Sequence, residues 1–470
     1  MELSENITQD AIVVVPGIMG SVLRDSQTGK LLWGLGAGWY LKAWCAPGGL
    51  SQLQLTDAER QGQYGRVTAT GLLTMPAYAP GLSGFEPYTD LLKGINGVVA
   101  DPAAILEFAY DWRLPTEHNA GLLARAAHRH LEAWRKHPAQ LETVRSQPDQ
   151  REAQLVFVAH SLGGLLVRAL GLVPGGDQVR AQTRASITIG TPFRGAAKAA
   201  VMLSSGAGAP LPKRRLRRLA ATMPGVHDLL PAYRCVDLGT DVARLGPADV
   251  AALGGDLELA ENSARLHARL EGVPMVGHRQ YLGVGQPTIS SLTVENGVAT
   301  GQRYTFEVNS DTSLVRNPDH QLKRVLRDGD GTVPRNSAEL TEGDSNPPQQ
   351  HGALARTPEV VRNVRRVLTE QPLLGGGLGA GELGLDAPDL IESGAPWLIR
   401  VTGAHNPACL VSAAEDDRQL ATVPLGRRDG TLTGDGPDLA PGMYRIEARA
   451  GQSATVRQFV LVTDPELGGR

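Results

Sequence analysis

Three residues far apart in this 470-residue chain could together do nucleophilic chemistry: Ser161, Asp330 and His351. A serine hydroxyl is a weak nucleophile until an imidazole takes its proton. The imidazole in turn needs a carboxylate to fix its tautomer and steady its charge. Each of the three sits in a glycine-bounded turn: Ala159-His160-Ser161-Leu162-Gly163, Asp328-Gly329-Asp330-Gly331-Thr332-Val333 and Gln350-His351-Gly352. Any one of them alone reads as an ordinary loop residue, but the chain order Ser, Asp, His gives them a joint meaning. His160, adjacent to the serine, points elsewhere on its turn and is not assigned the base role. Asp328 and Asp330 do not make a calcium loop, because Thr332 and the missing downstream glutamate break the required spacing.

The elements that must position these groups are legible around each one. Leu155-Val156-Phe157-Val158-Ala159 is a short continuous apolar run, the pattern of a strand buried on both faces. It breaks at His160-Ser161, and Leu162, Leu165, Leu166, Ala169 and Leu170 follow at helical spacing. A strand turning into a helix through x-Ser-x-Gly is a nucleophile elbow, in which Ala159 and Gly163 must be small to clear the neighbouring strand and helix. Upstream, Ala11–Val15 is a β-branched strand running into Pro16-Gly17-Ile18-Met19-Gly20-Ser21. The loop after such a strand can supply one oxyanion-hole N–H, so the backbone amides of Ile18 and Leu162 are the candidate pair.

Further strands are expected at Ile105–Ala109, ending in Tyr110-Asp111-Trp112-Arg113, and at Ala185–Ile189, ending in Gly190-Thr191-Pro192. Helices are expected over Phe85–Ile95, over Glu117–Lys136 and after Thr357-Pro358. Alternation of this kind predicts a mostly parallel sheet with helices on both faces and a ligand site at the strands' C-terminal ends, where Ile18, Asp111, Ser161 and Thr191 fall. From Ala196 to about Val273 the sequence is helical and Gly/Pro-broken, the expectation for a cap over the site. A second insertion is expected over about 30–84, where Trp33, Trp39 and Trp44 crowd together. These read as core tryptophans or, more sharply, as an interfacial flap. A hairpin is expected from Ser290–Val294 to Tyr304–Val308 through Asn296-Gly297.

Residues 372–387 read as a Gly-rich linker. Beyond them, short alternating runs such as Trp397–Val401, Tyr444–Ala448 and Val456–Val462 predict a small antiparallel β-sandwich over 388–470. Charges nearly balance at −3, which excludes a polyanion such as nucleic acid as the expected partner. The basic run Lys213–Arg218 reads as a solvated helix face, or next to a lipid-cleaving site as a surface for anionic headgroups. Cys45, Cys235 and Cys409 are odd in number and far apart, so they define neither a disulfide framework nor a metal site. The histidines at 118, 128, 130 and 137 fall on different helix faces and read as surface residues. The acidic N-terminus carries no signal-peptide pattern and no run is of membrane-spanning length, so the expected location is cytoplasmic.

Taken together, Pro16–Ser21, Tyr110-Asp111-Trp112-Arg113, the elbow, Gly190-Thr191-Pro192-Phe193-Arg194-Gly195 and Asp328–Val333 resemble the lecithin:cholesterol acyltransferase family. That family includes lysosomal phospholipase/acyltransferases and bacterial relatives, and the resemblance runs over roughly the first 370 residues. It implies an α/β-hydrolase fold over 1–371 and a serine esterase acting on acyl esters of lipids, with transfer to water or an alcohol and no cofactor. Carried over by position, Ser161 is the nucleophile, Asp330 orients His351, and Ile18 with Leu162 forms the oxyanion hole. Trp33, Trp39, Trp44, Asp111, Trp112 and Thr191 are the substrate or lid candidates. The sandwich lies outside the family pattern. It motivates a second reading, a membrane-damaging lipase effector regulated by a protein that binds the β-domain, and a third, an inactive binding scaffold.

Overall fold

The computed structural model describes residues 7–34, 50–79, 83–146, 151–204, 211–309, 311–340, 346–372, 383–428, 431–451 and 454–464. At its centre five parallel strands lie side by side in the order 278–281, 183–189, 155–160, 11–15, 105–107. Ala11–Val15 and Leu155–His160 are buried along their whole length, as their unbroken apolar runs require. The chain starts at 11–15, goes to the edge at 105–107, then crosses back to 155–160 and continues outward. The direction therefore reverses between strands 11–15 and 155–160, and the crevice outside their C-terminal ends is where such sheets bind ligands. Register makes this useful, because Val15 pairs with Ala159 and both strands end at the same level.

Helices cover the sheet, with Thr116–Arg135 packed on Leu162–Ala169 and Pro358–Leu368 on Thr89–Asn96. The last of these starts four residues later than its apolar spacing predicts. Phe85 instead ends a short strand, Ser83–Phe85, paired with Ala77–Ala79. Pro87 accounts for the shift, since it biases Glu86 away from helical backbone.

The segment expected to be a helical cap is mixed. Helices Ala197–Ser204, Leu211–Ala220, Pro247–Leu253 and Leu257–Leu270 alternate with strands Arg234–Asp237 and Val242–Arg244. These strands join Ser291–Glu295 and Val298–Gln302 in one sheet. The hairpin is also tighter than expected. Ser291–Glu295 pairs with Val298–Gln302 through Asn296 (φ 51°) and Gly297 (φ 75°), whose positive φ values suit a two-residue turn. Tyr304–Phe306 pairs instead with Arg324–Leu326.

The C-terminal residues form two sheets, of strands 384–386, 398–402, 431–435, 426–428 and of strands 390–392, 454–463, 442–450, 408–413, 419–423. They close over Leu385, Ile399, Val401, Val411, Ile446 and Val460. Pairing is antiparallel except between Leu390–Glu392 and Leu461–Thr463, which run parallel. The other face of this second sheet is buried too: Met443, Phe459 and Leu461 belong to the core of the α/β part. Trp39, Trp44, Cys45 and most of the Gly-rich linker lie outside the described residues. Cys235 and Cys409 are buried free thiols, and burial pushes them up to about 12 and about 11. Among the described residues no helix is long and apolar enough to cross a membrane.

At the far end of the sheet the fully buried Asp10 collects Arg151 (2.6 Å) and Arg184 (2.6 Å), and Arg184 also donates to the carbonyls of Val367 and Leu368. One carboxylate thus ties three strand starts to the end of helix Pro358–Leu368. Without it the two partly solvated guanidinium groups keep Glu370, and Arg184 keeps its carbonyl partners. Asp10→Asn should therefore lower the unfolding free energy by about 1–3 kcal/mol in chemical denaturation, less than for a pair left with no other partner.

Candidate active site

The elbow has the geometry its sequence predicts. Ser161 sits at φ 52°, ψ −125°, a strained conformation for a residue with a side chain. Its amide donates to the Ile189 carbonyl (2.9 Å), so the strand's hydrogen bonding continues right up to the turn. A Cβ on Gly163 would lie 2.5 Å from the Val15 carbonyl oxygen, and one on Gly17 would lie 2.8 Å from the Ser161 Cβ. Position 163 needs glycine because the backbone of Val15 and Pro16 passes there, and position 17 because the Ser161 Cβ and the His160 ring do.

Ser161, Asp330 and His351 come together. The His351 Nε2 lies 2.8 Å from Ser161 Oγ, and its Nδ1 lies 2.7 Å from Asp330 Oδ2. All three are buried. The Asp330 Oδ1 accepts the amides of Thr332 (3.0 Å) and Val333 (2.6 Å), and the His351 amide donates to the Asp330 carbonyl (2.7 Å). With the carboxylate fixed in this way, Nδ1–H points at Asp330 and Nε2 is left to accept the serine proton.

The loop after the first strand lies directly opposite. Gly20 N–H donates to the Gly17 carbonyl (3.1 Å), closing a tight turn over Ile18 and Met19, whose φ is 62°. Three buried aromatic residues hold this turn. Trp33 Nε1–H donates to the Met19 carbonyl (2.8 Å), Tyr110 O–H to the Pro16 carbonyl (2.9 Å), and Gly17 N–H to the Tyr88 hydroxyl (2.9 Å). Ile18 and Ser161 line the same cleft, with Phe85, Pro192, Ala199, Leu229 and Val333 as its apolar walls.

The remaining substrate candidates among the described residues are not in that lining. Trp33 and Trp112 are fully buried and meet edge to face at 5.5 Å, behind the Ile18 turn. Asp111 pairs with the buried Arg113 (2.7 Å), which also reaches Glu59 (2.8 Å). These are packing and scaffold positions. Thr191 is buried against Gly164, and its neighbour Pro192 is the one that faces the cleft.

Sequence reasoning missed Lys198, which lines the cleft and donates to the Gly331 carbonyl (3.1 Å); burial lowers its pKa. It placed Tyr88 in an expected helix and Tyr110 in the Tyr110-Asp111-Trp112-Arg113 motif, but gave neither its role in holding the Ile18 turn. Among the described residues no group of three or more His, Cys, Asp or Glu is placed to hold a metal ion.

His160 joins the two halves of the site. Because the Tyr88 oxygen accepts the Gly17 N–H, its O–H donates to His160 Nδ1 (2.9 Å). That leaves Nε2–H to donate to the His351 carbonyl (3.2 Å). Burial, and then the nearby His351, depress the His160 pKa to about 3.

The family model for lecithin:cholesterol acyltransferase matches residues 82–250, a stretch that contains Asp111-Trp112-Arg113, the elbow and Gly190-Thr191-Pro192. No curated protein matches the chain. Among solved structures, one chain from the crystal structure of the Tle4-Tli4 complex aligns at 14% identity. The alignment covers 76% of this chain and 96% of that one, with a TM-score of 0.42. The Bacillus licheniformis lipase BlEst2 in its propeptide form aligns at 12% identity, over 96% of this chain and 73% of that one, with a TM-score of 0.31.

The depressed His160 makes folding pH-dependent. An unfolded histidine takes its proton near pH 6.5, whereas the folded one stays neutral down to about pH 3. Stability is therefore full above pH 6.5 and lost as pH falls through that window, by at most about 1.4 kcal/mol per pH unit. Unfolding curves measured between pH 7 and pH 4 should show a shallower slope for His160→Gln than for the wild type.

Proposed function

We propose that this chain, an α/β-hydrolase similar to the lecithin:cholesterol acyltransferase family over residues 82–250, is a serine esterase that cleaves acyl esters of lipids. The observation that carries the reading is the continuous path from Ser161 Oγ to His351 Nε2 (2.8 Å) and from His351 Nδ1 to Asp330 Oδ2 (2.7 Å). The apolar cleft beside it supports a fatty acyl group as the part of the substrate that is held.

In this mechanism His351 Nε2 takes the Ser161 proton as Oγ attacks the ester carbonyl carbon. Asp330 keeps the ring in the required tautomer and stabilises the imidazolium. The tetrahedral oxyanion falls to the backbone amides of Ile18 and Leu162, each worth about 3 kcal/mol in the transition state. The turn that carries Ile18 is held in place before substrate arrives, so little reorganisation is needed. His351 then returns the proton to the leaving alcohol, and water or a second alcohol, activated by the same nitrogen, releases the acyl group from Ser161.

Two variants test this reading. Ser161→Ala should fold, lose covalent labelling by a fluorophosphonate probe and lose at least about 10⁴-fold in ester turnover. Asp330→Asn should still label, but slowly, with kcat down about 10⁴-fold because the histidine tautomer is no longer fixed. Labelling of Ser161→Ala at the wild-type rate would sink the mechanism.

A further inference from the structure

The segment carrying His351 is clasped on both sides by the C-terminal β-sandwich. Upstream, the buried Gln349 reaches it with both the nitrogen and the oxygen of its side-chain amide. The Nε2 donates to the Thr455 carbonyl (3.0 Å), and Oε1 accepts the Arg457 amide (2.9 Å) and the Gln350 amide (3.0 Å). Strand Ala454–Thr463 pairs along its length with Gly442–Ala450, but on its other edge it meets Leu390–Glu392 only at residues 461–463. Gln349 fills part of that open edge, doing with one side chain what a neighbouring strand's backbone would do. Gln350 donates to the Leu385 carbonyl (3.0 Å), also in the sandwich.

Downstream, the Gly352 carbonyl accepts the Glu86 amide (2.9 Å). The Glu86 carboxylate is buried and held by Arg445 of the sandwich (2.7 and 2.9 Å) and by Arg356 (3.0 Å). The three layers touch without slack. A Cβ on Gly352 would lie 1.9 Å from the Gly84 carbonyl oxygen, and one on Gly84 would lie 2.2 Å from the Phe459 ring. His351 therefore has sandwich contacts two residues before it and, through Glu86, one residue after it.

We propose that the β-sandwich is a working part of the hydrolytic site, and that Gln349 is a positioning residue through which it sets the place of His351. The inference rests on the esterase reading above. Its physical basis is steep distance dependence: a displacement of about 1 Å in a reacting group costs about 10²-fold in rate. His351 lies in a short 3₁₀ segment, His351–Arg356, which has little local structure of its own to hold that tolerance.

The test uses the full chain, a soluble short-chain ester and the fluorophosphonate probe, at a temperature well below every variant's unfolding midpoint. Gln349→Ala should lose about 10–100-fold in kcat and in labelling rate, with KM changed less than about twofold. Gln349→Glu keeps the acceptor for the Arg457 and Gln350 amides and should recover part of that loss. Asp10→Asn, at the far end of the sheet and outside both the sandwich and the cleft, should lower the midpoint while leaving kcat unchanged. A folded Gln349→Ala with kcat within about twofold of the wild type overturns the inference, as does an Asp10→Asn that loses as much kcat. If Gln349→Ala does not fold, Arg445→Lys decides. It keeps a charge on Glu86 but gives up the two-pronged contact, so kcat should fall several-fold, and an unchanged kcat overturns the inference. A wild-type chain inert to both probe and ester overturns the esterase reading and this inference together. An active wild type with an unaffected Gln349→Ala overturns this inference alone.

Discussion

The structure depends on one strained residue. Ser161 is forced to positive φ where a strand must become a helix within one peptide, and such strain persists only where the surroundings over-determine it, at a cost of about 1–3 kcal/mol. Here the surroundings are the two parallel strands 11–15 and 155–160, which end in register, and the glycines at 17 and 163, which let three backbones meet. The same constraint brings the Ile18 turn and Ser161 together. Ser161 and the Ile18 turn are thus placed by sheet register, and the cleft inherits its location from the point where strand order reverses.

Around that point two histidines lie with ring centroids 5.0 Å apart, and their environments assign them different roles. His160 is buried between Tyr88 and the His351 carbonyl, so it remains neutral and acts as a strut between the Gly17 turn and the His351 backbone. His351 instead faces Asp330, with its Nδ1 2.7 Å from Oδ2. Keeping the first ring uncharged also spares the second a like charge in a low-dielectric site.

The sandwich gives this arrangement a third wall. Strands 442–450 and 454–463 are buried on both faces: even-numbered Ile446, Val456 and Val460 fill the sandwich, while odd-numbered Met443, Phe459 and Leu461 join the α/β core. The Arg445–Glu86–Arg356 cluster is buried in the same seam. Breaking such a cluster leaves an unpaired charge in an apolar place, so it fixes relative orientation strongly even where its net stabilisation is small.

Much of this was legible in one dimension. Unbroken apolar runs at 11–15 and 155–159 read as strands buried on both faces, and Ser-x-Gly between strand and helix spacing reads as the elbow. Gly-bounded Asp330 and His351, in the order Ser, Asp, His, marked the groups that the structure brings together with Ser161. The apolar run Phe459-Val460-Leu461-Val462 already held a hint that the sandwich buries its outer face, because a solvated face would alternate. Local spacing could not say which distant groups meet. The partner of strand 291–295, the place of Trp33, Trp112 and Asp111 behind the Ile18 turn, the grip of Tyr88 and Tyr110, and Gln349 on the edge of 454–463 all depend on contacts between residues far apart in sequence. Periodicity records how a chain presents its side chains. Which surface each one meets is decided by packing and by the need to pair every buried charge and amide, and those demands exist only once the chain is folded.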